Sequence, residues 1–196
     1  MQPAKINYKI YQGSTFQEVY RWETQTKVYA PIQSISKAAP CVITTAQNHT
    51  MPNNWRFKVV GAGGMKEINN VGDNYHIATA TTSNTITINQ VNSLQYTTYT
   101  SGGVVEYNDP VDLSTYSARM QIRESVDSSS FIYEATSAGG QIVLDNALKT
   151  ITITLLGNVT SQFTFTTAVY SVELFSGNNV VPFLVGNLTL VPEVTR

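Results

Sequence analysis

The sequence predicts an all-β fold, built as a sandwich with a small barrel-like β module inserted in one of its loops. Three observations support this prediction. Apolar and polar residues alternate in short runs along the chain, and clusters of Gly, Pro, Asn and Asp separate these runs. The composition is rich in Thr, Val, Ile, Tyr and Phe, which fit a half-buried pleated surface. Helical spacing is not sustained over ten residues anywhere in the chain.

The predicted strands follow one another at the spacing that is typical of a sandwich or a barrel. In the first, INYKI at residues 6–10, the apolar residues share one face. In the second, Phe16, Tyr20 and Trp22 share a face that Glu18 interrupts. The remaining strands are TITI, ARMQIR, ITITL, YSVEL and LTL, at residues 85–88, 118–123, 151–155, 170–174 and 188–190.

Two breaks that contain proline divide the chain. Residues 30–40, APIQSISKAAP, form the first break, and Asn108-Asp109-Pro110 forms the second. The piece before the first break holds only about two strands, which is too few for independent stability. We therefore predict that residues 1–29 and 111–196 form one discontinuous sandwich, and that residues 32–107 form the inserted module. Such an insertion costs little stability, because closure entropy grows slowly with loop length.

Charge and rare residues narrow the range of functions. The net charge is −1 and the 12 Lys and Arg residues are scattered, so we predict no nucleic-acid binding. Cys41 is the only cysteine and there are two histidines, which argues against a disulfide and against a zinc site. The N-terminus lacks the apolar segment of a signal peptide, and no apolar run is long enough to span a membrane. We predict no metal, no cofactor and no membrane partner.

The glycine-rich stretch GAGG at residues 61–64 follows the apolar pair Val59-Val60, as in many phosphate-binding loops. A nucleotide site of this kind needs a helix that begins at the glycines. The following residues, MKEINNVGDN, leave room for at most about two helical turns, and Lys66 stands where a third glycine is required. We therefore expect a turn between two strands of a small barrel.

The candidate catalytic groups have simpler structural explanations. Cys41 lies in an apolar run, so we expect a buried thiol and not a nucleophile paired with His49. Glu18 and Glu23 are five residues apart and would face opposite sides of a strand, so we expect solvated or salt-bridging carboxylates and not a glycosidase pair. The other carboxylates considered, Glu67, Asp73, Asp109 and Asp112, lie in predicted loops and turns. We predict that the protein is not an enzyme.

Two groups of residues are candidates for a binding interface. Arg119, Gln121 and Arg123 form a polar row on one face of a predicted strand, which is either a solvated face or a subunit contact. Tyr96 and Tyr99 lie in the loop YTTY, where they either anchor a partner, stack on a sugar, or close the core of the inserted module.

One set of motifs resembles a family of bacteriophage virion proteins. The motifs are DLSTYSARMQIR at residues 112–123, QGSTF at 12–16, the TITL-like strand at 151–155, YSVEL at 170–174 and the closing VPEVTR. They are similar to immunoglobulin-like domains of the kind found in the N-terminal part of upper baseplate proteins, which hold receptor-binding proteins on the phage tail. The resemblance covers both outer pieces of the chain. It implies an immunoglobulin-like β-sandwich, in which the inserted module replaces a short hairpin.

A second set of motifs lies in the inserted segment. GAGGMKEINN at residues 61–70, NYHIAT at 74–79, TITI at 85–88 and YTTYTSGGVV at 96–105 are similar to a small β module inserted in phage structural proteins. That module resembles the first catalytic-cysteine half-domain of ubiquitin-activating enzymes. MPNNW at residues 51–55 departs from the Gly-Asp turn of this pattern. The resemblance concerns the fold and implies no ubiquitin chemistry.

Together these resemblances imply a structural protein of a bacteriophage virion. It would be a tail or baseplate component, or a head-to-tail adaptor or fibre-attachment component, and it would act by protein–protein assembly without a cofactor. Its expected partners are copies of itself, as a homo-oligomer, and other phage structural proteins. Its expected location is the virion, which is assembled in the bacterial cytoplasm.

Two other functions are left open by the sequence. One is a carbohydrate-binding module for adsorption to a host-surface glycan, which needs an exposed line of aromatic side chains; Tyr96, Tyr99 and Tyr107 are the candidates. The other is a capsid-decoration or head-fibre protein.

Overall fold

The computed structural model of the chain describes residues 2–194 and confirms the all-β fold class, with a β-sandwich and a nearly closed barrel-like sheet. The chain forms two compact units. The first, here called the sandwich unit, contains the residues up to Arg21 and those from Asp112 onward. The second, here called the barrel unit, is Trp22–Val111.

The described residues form sixteen strands, one short α-helix and one 3₁₀ helix. In chain order the strands are β1 (Ala4–Lys5), β2 (Tyr8–Tyr11), β3 (Phe16–Arg21), β4 (Glu23–Ile35), β5 (Cys41–Thr45), β6 (Trp55–Val60), β7 (His76–Ala78), β8 (Ala80–Thr81), β9 (Thr85–Ile88), β10 (Val104–Pro110), β11 (Ser117–Arg123), β12 (Tyr133–Thr136), β13 (Ile142–Asp145), β14 (Thr150–Leu155), β15 (Thr167–Ser176) and β16 (Asn179–Val191). The 3₁₀ helix is Lys66–Ile68, and α1 is Gly157–Thr160.

The sandwich unit is made of one large and one small sheet. The large sheet has the order β1-β16-β15-β11-β12, and β2 also pairs with β16. The small sheet has the order β13-β14-β3. Period-two alternation places one set of side chains from each strand in the core. The buried core residues include Ile10, Ala118, Met120, Ile122, Ala135, Ile142, Ile151, Ile153, Leu155, Phe163, Ala168, Tyr170, Val172, Leu174, Leu184, Leu188 and Leu190.

The N-terminal strands contribute to both sheets of this unit. β3 pairs antiparallel with β14 over six residues, from Phe16 opposite Leu155 to Arg21 opposite Thr150. β1 and β2 pair parallel with β16 in the large sheet. Residues before Trp22 are therefore joined by backbone hydrogen bonds to strands that lie more than a hundred positions later in the sequence.

Tyrosines from three of these strands meet inside the sandwich unit. The hydroxyl groups of Tyr8 and Tyr20 are hydrogen bonded to each other. The Tyr170 hydroxyl donates to the Ile6 carbonyl oxygen at 3.0 Å. Burial raises the pKa of Tyr20 and of Tyr170 above the usual value of 10.0, because the phenolate would be poorly solvated there.

The barrel unit is a single curved sheet with the order β7-β6-β10-β4-β5-β9-β8. Its two edge strands, β7 and β8, are separated in the chain only by Thr79, whose N–H donates to the Thr87 carbonyl oxygen at 2.8 Å. The sheet is therefore nearly closed on itself. Its core contains Ala30, Ile32, Ile35, Cys41, Ile43, Met51, Trp55, Phe57, Val59, Ala62, Met65, Ile68, Ala78, Ile86, Ile88, Val105 and Tyr107.

The boundary between the units differs from the predicted one. The second unit begins at Trp22 and not at residue 32. The first predicted break, residues 30–40, lies partly in β4, which includes Pro31, and partly in the loop that leads to β5; the second break lies within β10, which ends at Pro110. Pro31 is tolerated because it lies where β4 changes partner, from β10 opposite Pro31 to β5 opposite Ile32. The first and last residues of the barrel unit are adjacent, because the Val111 N–H donates to the Trp22 carbonyl oxygen at 3.1 Å.

Candidate protein interface

The polar row predicted on β11 lies on the outer face of the large sheet. Arg119, Gln121 and Arg123 alternate along the strand with three buried residues, Ala118, Met120 and Ile122. The strand is held in place on both sides, by β12 and by β15. Because paired residues point to the same side of a sheet, the outer face continues from this row onto the neighbouring strands.

The side chains of the row are bonded to neighbours within the sandwich unit. The Arg119 guanidinium is 2.9 Å from a carboxylate oxygen of Glu173, and the Gln121 amide donates to Glu134. Arg123 donates to the Gln121 side-chain oxygen at 2.9 Å and to the Ser128 carbonyl oxygen. These contacts fix the row in one arrangement, so it presents a preorganised surface.

A groove runs beside this row across the large sheet. One line of paired residues crosses the sheet from Lys5 through Val185 and Ser171 to Gln121. The next line joins Asn187, Val169 and Arg123. The groove has a volume of about 390 Å³, and its floor is formed mainly by small and apolar residues. Three strand spacings separate Lys5 from Gln121, or about 14 Å, which is wide enough for one extended peptide segment.

The two charged residues that line the groove are cationic. Lys5 and Arg123 both line it, and neither has a carboxylate within 4 Å among residues 2–194. Glu134 is bonded to Gln121 and is not one of the lining residues. Val126, which is 83% exposed, closes one side of the groove. An apolar floor between two unpaired cations is complementary to an acidic segment that also carries apolar side chains.

Sequence reasoning did not identify Lys5 or Val126. Lys5 reaches the groove only because β1 pairs in parallel with β16, a contact between the two ends of the chain. No local pattern in the sequence encodes that pairing. Val126 lies in the polar loop ESVDSSS, where a single exposed valine is not unusual.

Tyr96 and Tyr99 lie in the barrel unit and pack against its core. The Tyr99 hydroxyl lies 3.1 Å from the Ile32 carbonyl oxygen and 2.9 Å from that of Gly102, so its proton is shared between backbone acceptors. Tyr107 is 3% exposed, and its hydroxyl accepts the Thr50 N–H at 3.1 Å. These tyrosines therefore do not form an exposed line of aromatic rings of the kind that stacks on a sugar.

The glycine-rich stretch of the barrel unit makes close backbone contacts. The Gly63 N–H donates to the Ser101 carbonyl oxygen at 2.9 Å, and the Thr100 N–H donates back to Gly63 at 3.0 Å. A Cβ atom at Gly64 would lie 2.2 Å from the Thr98 carbonyl oxygen. The glycines are needed because two loops approach each other at backbone distance. The expected turn is present, and it leads into the three-residue helix Lys66–Ile68.

The candidate catalytic groups have structural roles. Cys41 is fully buried, and burial raises the pKa of its thiol, which keeps it protonated. Burial lowers the pKa of His49, whose Nδ1 accepts the Met51 N–H at 3.2 Å. Glu23 accepts two hydrogen bonds from Arg56, both of 2.8 Å. The Thr97 backbone N–H, which donates to Glu67 at 2.9 Å, holds the pKa of that carboxyl below its usual range.

Three or more His, Cys, Asp or Glu side chains suited to one metal ion do not come together anywhere in residues 2–194. Across the same residues, no helix is long and apolar enough to cross a membrane. Comparison with protein-family models gives no match, and comparison with curated proteins gives no significant match. The likeness to phage virion proteins therefore stays a prediction from the motifs.

Proposed function

We propose that this chain is a structural protein of a bacteriophage particle that acts by protein–protein assembly, without enzymatic activity and without a cofactor. The observation that supports assembly most strongly is the groove on the large sheet. It combines a rigid β floor, a preorganised polar row and two unpaired cations. The particle setting is inferred from the motifs at residues 112–123 and 61–70. The position proposed in the particle is the tail, the baseplate or the head-to-tail connection.

The proposed occupant of the groove is an extended acidic segment of a neighbouring particle protein. Lys5 and Arg123 would pair with its carboxylates, while Val169 and Val185 would contact its apolar side chains. Rim charges of this kind mainly set the association rate and the choice of partner. The low charge density of the chain, 13% of residues, fits large interfaces whose centres are depleted of charge.

The experiment that tests this function is electron cryo-microscopy, with mass spectrometry, of purified particles of the phage that encodes the chain. We expect the chain at a fixed copy number, with a neighbouring protein seated in the groove against Lys5 and Arg123. Purified particles that lack the chain would contradict the virion role. Particles that contain the chain with the groove facing solvent would contradict the docking site alone.

Charge reversal at the groove gives a second arm of the test. We expect Lys5→Glu and Arg123→Glu to reduce incorporation of the chain into particles by about tenfold or more, because like charges then face the acidic segment. Lys9→Glu is the matched control, since Lys9 is an exposed lysine on β2 that does not line the groove. Equal loss of incorporation in the control would contradict the assignment of the groove.

A further inference from the structure

The outer face of the small sheet in the sandwich unit carries two exposed valines in one row. Val143, Thr152 and Val19 form one paired row across β13, β14 and β3. Val19 is 51% exposed and Val143 is 52% exposed. Their inward neighbours on the central strand, Ile151 and Ile153, are buried in the core. The row therefore exposes two β-branched apolar side chains on one face of a three-stranded sheet.

Two opposite charges lie at the corners of the same face. The next paired row runs from Asp145 through Thr150 to Arg21. Neither Asp145 nor Arg21 has an oppositely charged group within 4 Å among residues 2–194. They are two strand spacings apart, or about 10 Å. Arg21 is exposed, whereas Asp145 is half-buried and accepts the Leu148 N–H at 2.8 Å through one carboxylate oxygen. Neither charge is neutralised by an ion pair within the described part of the chain, so both can pair with a partner that approaches the face.

A two-fold axis along β14 makes this face complementary to itself. Rotation about that axis exchanges left and right on the face, so the position of β3 in one copy lies opposite β13 in the other. Thr152 then meets Thr152 of the second copy, and Val19 meets Val143. At the corners Arg21 meets Asp145, and by symmetry this ion pair occurs twice. A contact of this kind, in which the same patch serves both copies, is the usual form of a closed dimer.

We propose that the outer face of the β13-β14-β3 sheet pairs two copies of this chain about a two-fold axis along β14. The proposal rests on the proposed assembly function only for its biological setting, the phage particle. The sheet measures about 14 Å by 20 Å, which gives a face of about 280 Å² per copy. A standard stable interface buries about 800 Å² per partner. The isolated dimer is therefore weak, and it forms fully when other contacts hold two copies close together.

Sedimentation of the full-length chain over a concentration series up to about 1 mM tests the proposal. We expect a reversible monomer–dimer equilibrium. Val19→Asp and Val143→Asp each weaken it at least tenfold, because a charge then faces an apolar side chain. Val180→Asp is the matched control: Val180 is 56% exposed, but it lies on β16 of the other sheet, so this variant leaves the equilibrium unchanged. Unchanged thermal unfolding of each variant shows that the fold is intact.

Charge reversal tests the two-fold geometry itself. Arg21→Asp places two aspartates opposite each other at both corners, and Asp145→Arg does the same with two arginines. Each variant alone associates about tenfold more weakly than the native chain. An equimolar mixture of the two variants restores association, because each corner of the mixed dimer again pairs opposite charges. A variant that had merely lost its fold would not regain association when it is mixed with the other variant. The rescue therefore distinguishes loss of the proposed contact from loss of folding.

A chain that stays monomeric at about 1 mM overturns the proposal. A mixture of the two charge variants that does not restore association also overturns it. So does a Val180→Asp variant that weakens association as much as Val19→Asp does. These outcomes are distinct from failure of the proposed function, since self-association is measured on the purified chain. A monomeric chain found in particles would remove this interface and leave the virion role. A chain that forms the dimer but is missing from particles would support this interface and contradict the virion role.

Discussion

A comparison of Gly64 with Gly72 tests a close contact in the barrel unit, between the loop that contains Gly64 and the loop that contains Thr98 and Thr100. Both residues have a positive φ, +75° at Gly64 and +60° at Gly72. A Cβ atom at Gly64 would lie 2.2 Å from the Thr98 carbonyl oxygen and 2.8 Å from the Thr100 nitrogen, whereas one at Gly72 would meet nothing within 4 Å. Alanine at either position carries the same backbone strain, but only Gly64→Ala forces two loops apart.

The expected costs follow from these contacts. An alanine in the left-handed region costs about 1–2 kcal/mol, and the stiffer unfolded chain returns about 0.4–1 kcal/mol. Gly72→Ala should therefore lower the free energy of unfolding by about 1 kcal/mol. Gly64→Ala also disrupts the two hydrogen bonds that join Gly63 to Thr100 and Ser101. At about 1 kcal/mol for each bond, its total cost is about 3 kcal/mol.

Tryptophan fluorescence during urea unfolding measures both costs. The two tryptophans of the chain, Trp22 and Trp55, belong to the barrel unit, so their emission reports on that unit. We expect Gly64→Ala to lower the free energy of unfolding by about 2 kcal/mol more than Gly72→Ala does. Two variants that agree within about 0.5 kcal/mol would refute the close backbone contact.

Three further predictions concern individual side chains. Arg56→Ala should cost less than about 1 kcal/mol in the same fluorescence assay, because the Arg56 side chain that pairs with Glu23 is 52% exposed. The Cys41 thiol should not react with a thiol reagent until urea unfolds the barrel unit, because it is fully buried and burial raises its pKa; reaction in native buffer would contradict this. Tyr170 has a folded-state pKa above 10.0, so its contribution to stability is complete below pH 10 and is lost as the pH rises beyond that value. Tyr170→Phe should therefore reduce the fall in thermal stability between pH 10 and 12, and an unchanged pH dependence would argue against the burial of that hydroxyl.

The sequence alone predicted the all-β class and several of the strands, because alternation with a period of two is a local property. The run at residues 118–123 lies within β11, Ser117–Arg123, and the run at residues 151–155 lies within β14, Thr150–Leu155. Each of these strands has one face in the core and one toward solvent, which is the condition under which the alternation is visible.

The long-range contacts could not be predicted in the same way. Trp22 was expected to share a face with Phe16 and Tyr20, but β3 ends at Arg21 and Trp22 begins the barrel unit. Pro31 indicated a break, yet β4 continues through it because the partner of the strand changes there. The groove was missed because Lys5 enters it through a strand pairing between residues about 180 positions apart. Such pairings depend on the whole core and leave no local pattern.

The central structural claim is that the N-terminal strands and the strands after Asp112 form one sandwich, although the barrel unit separates them in the sequence. The most direct measurement is the set of nuclear Overhauser effects between backbone protons in the full-length chain. We predict cross-strand effects between Tyr20 and Ile151, in β3 and β14, and between Tyr8 and Leu188, in β2 and β16. Absence of both sets, with residues 4–21 paired instead to residues 22–111, would contradict the claim.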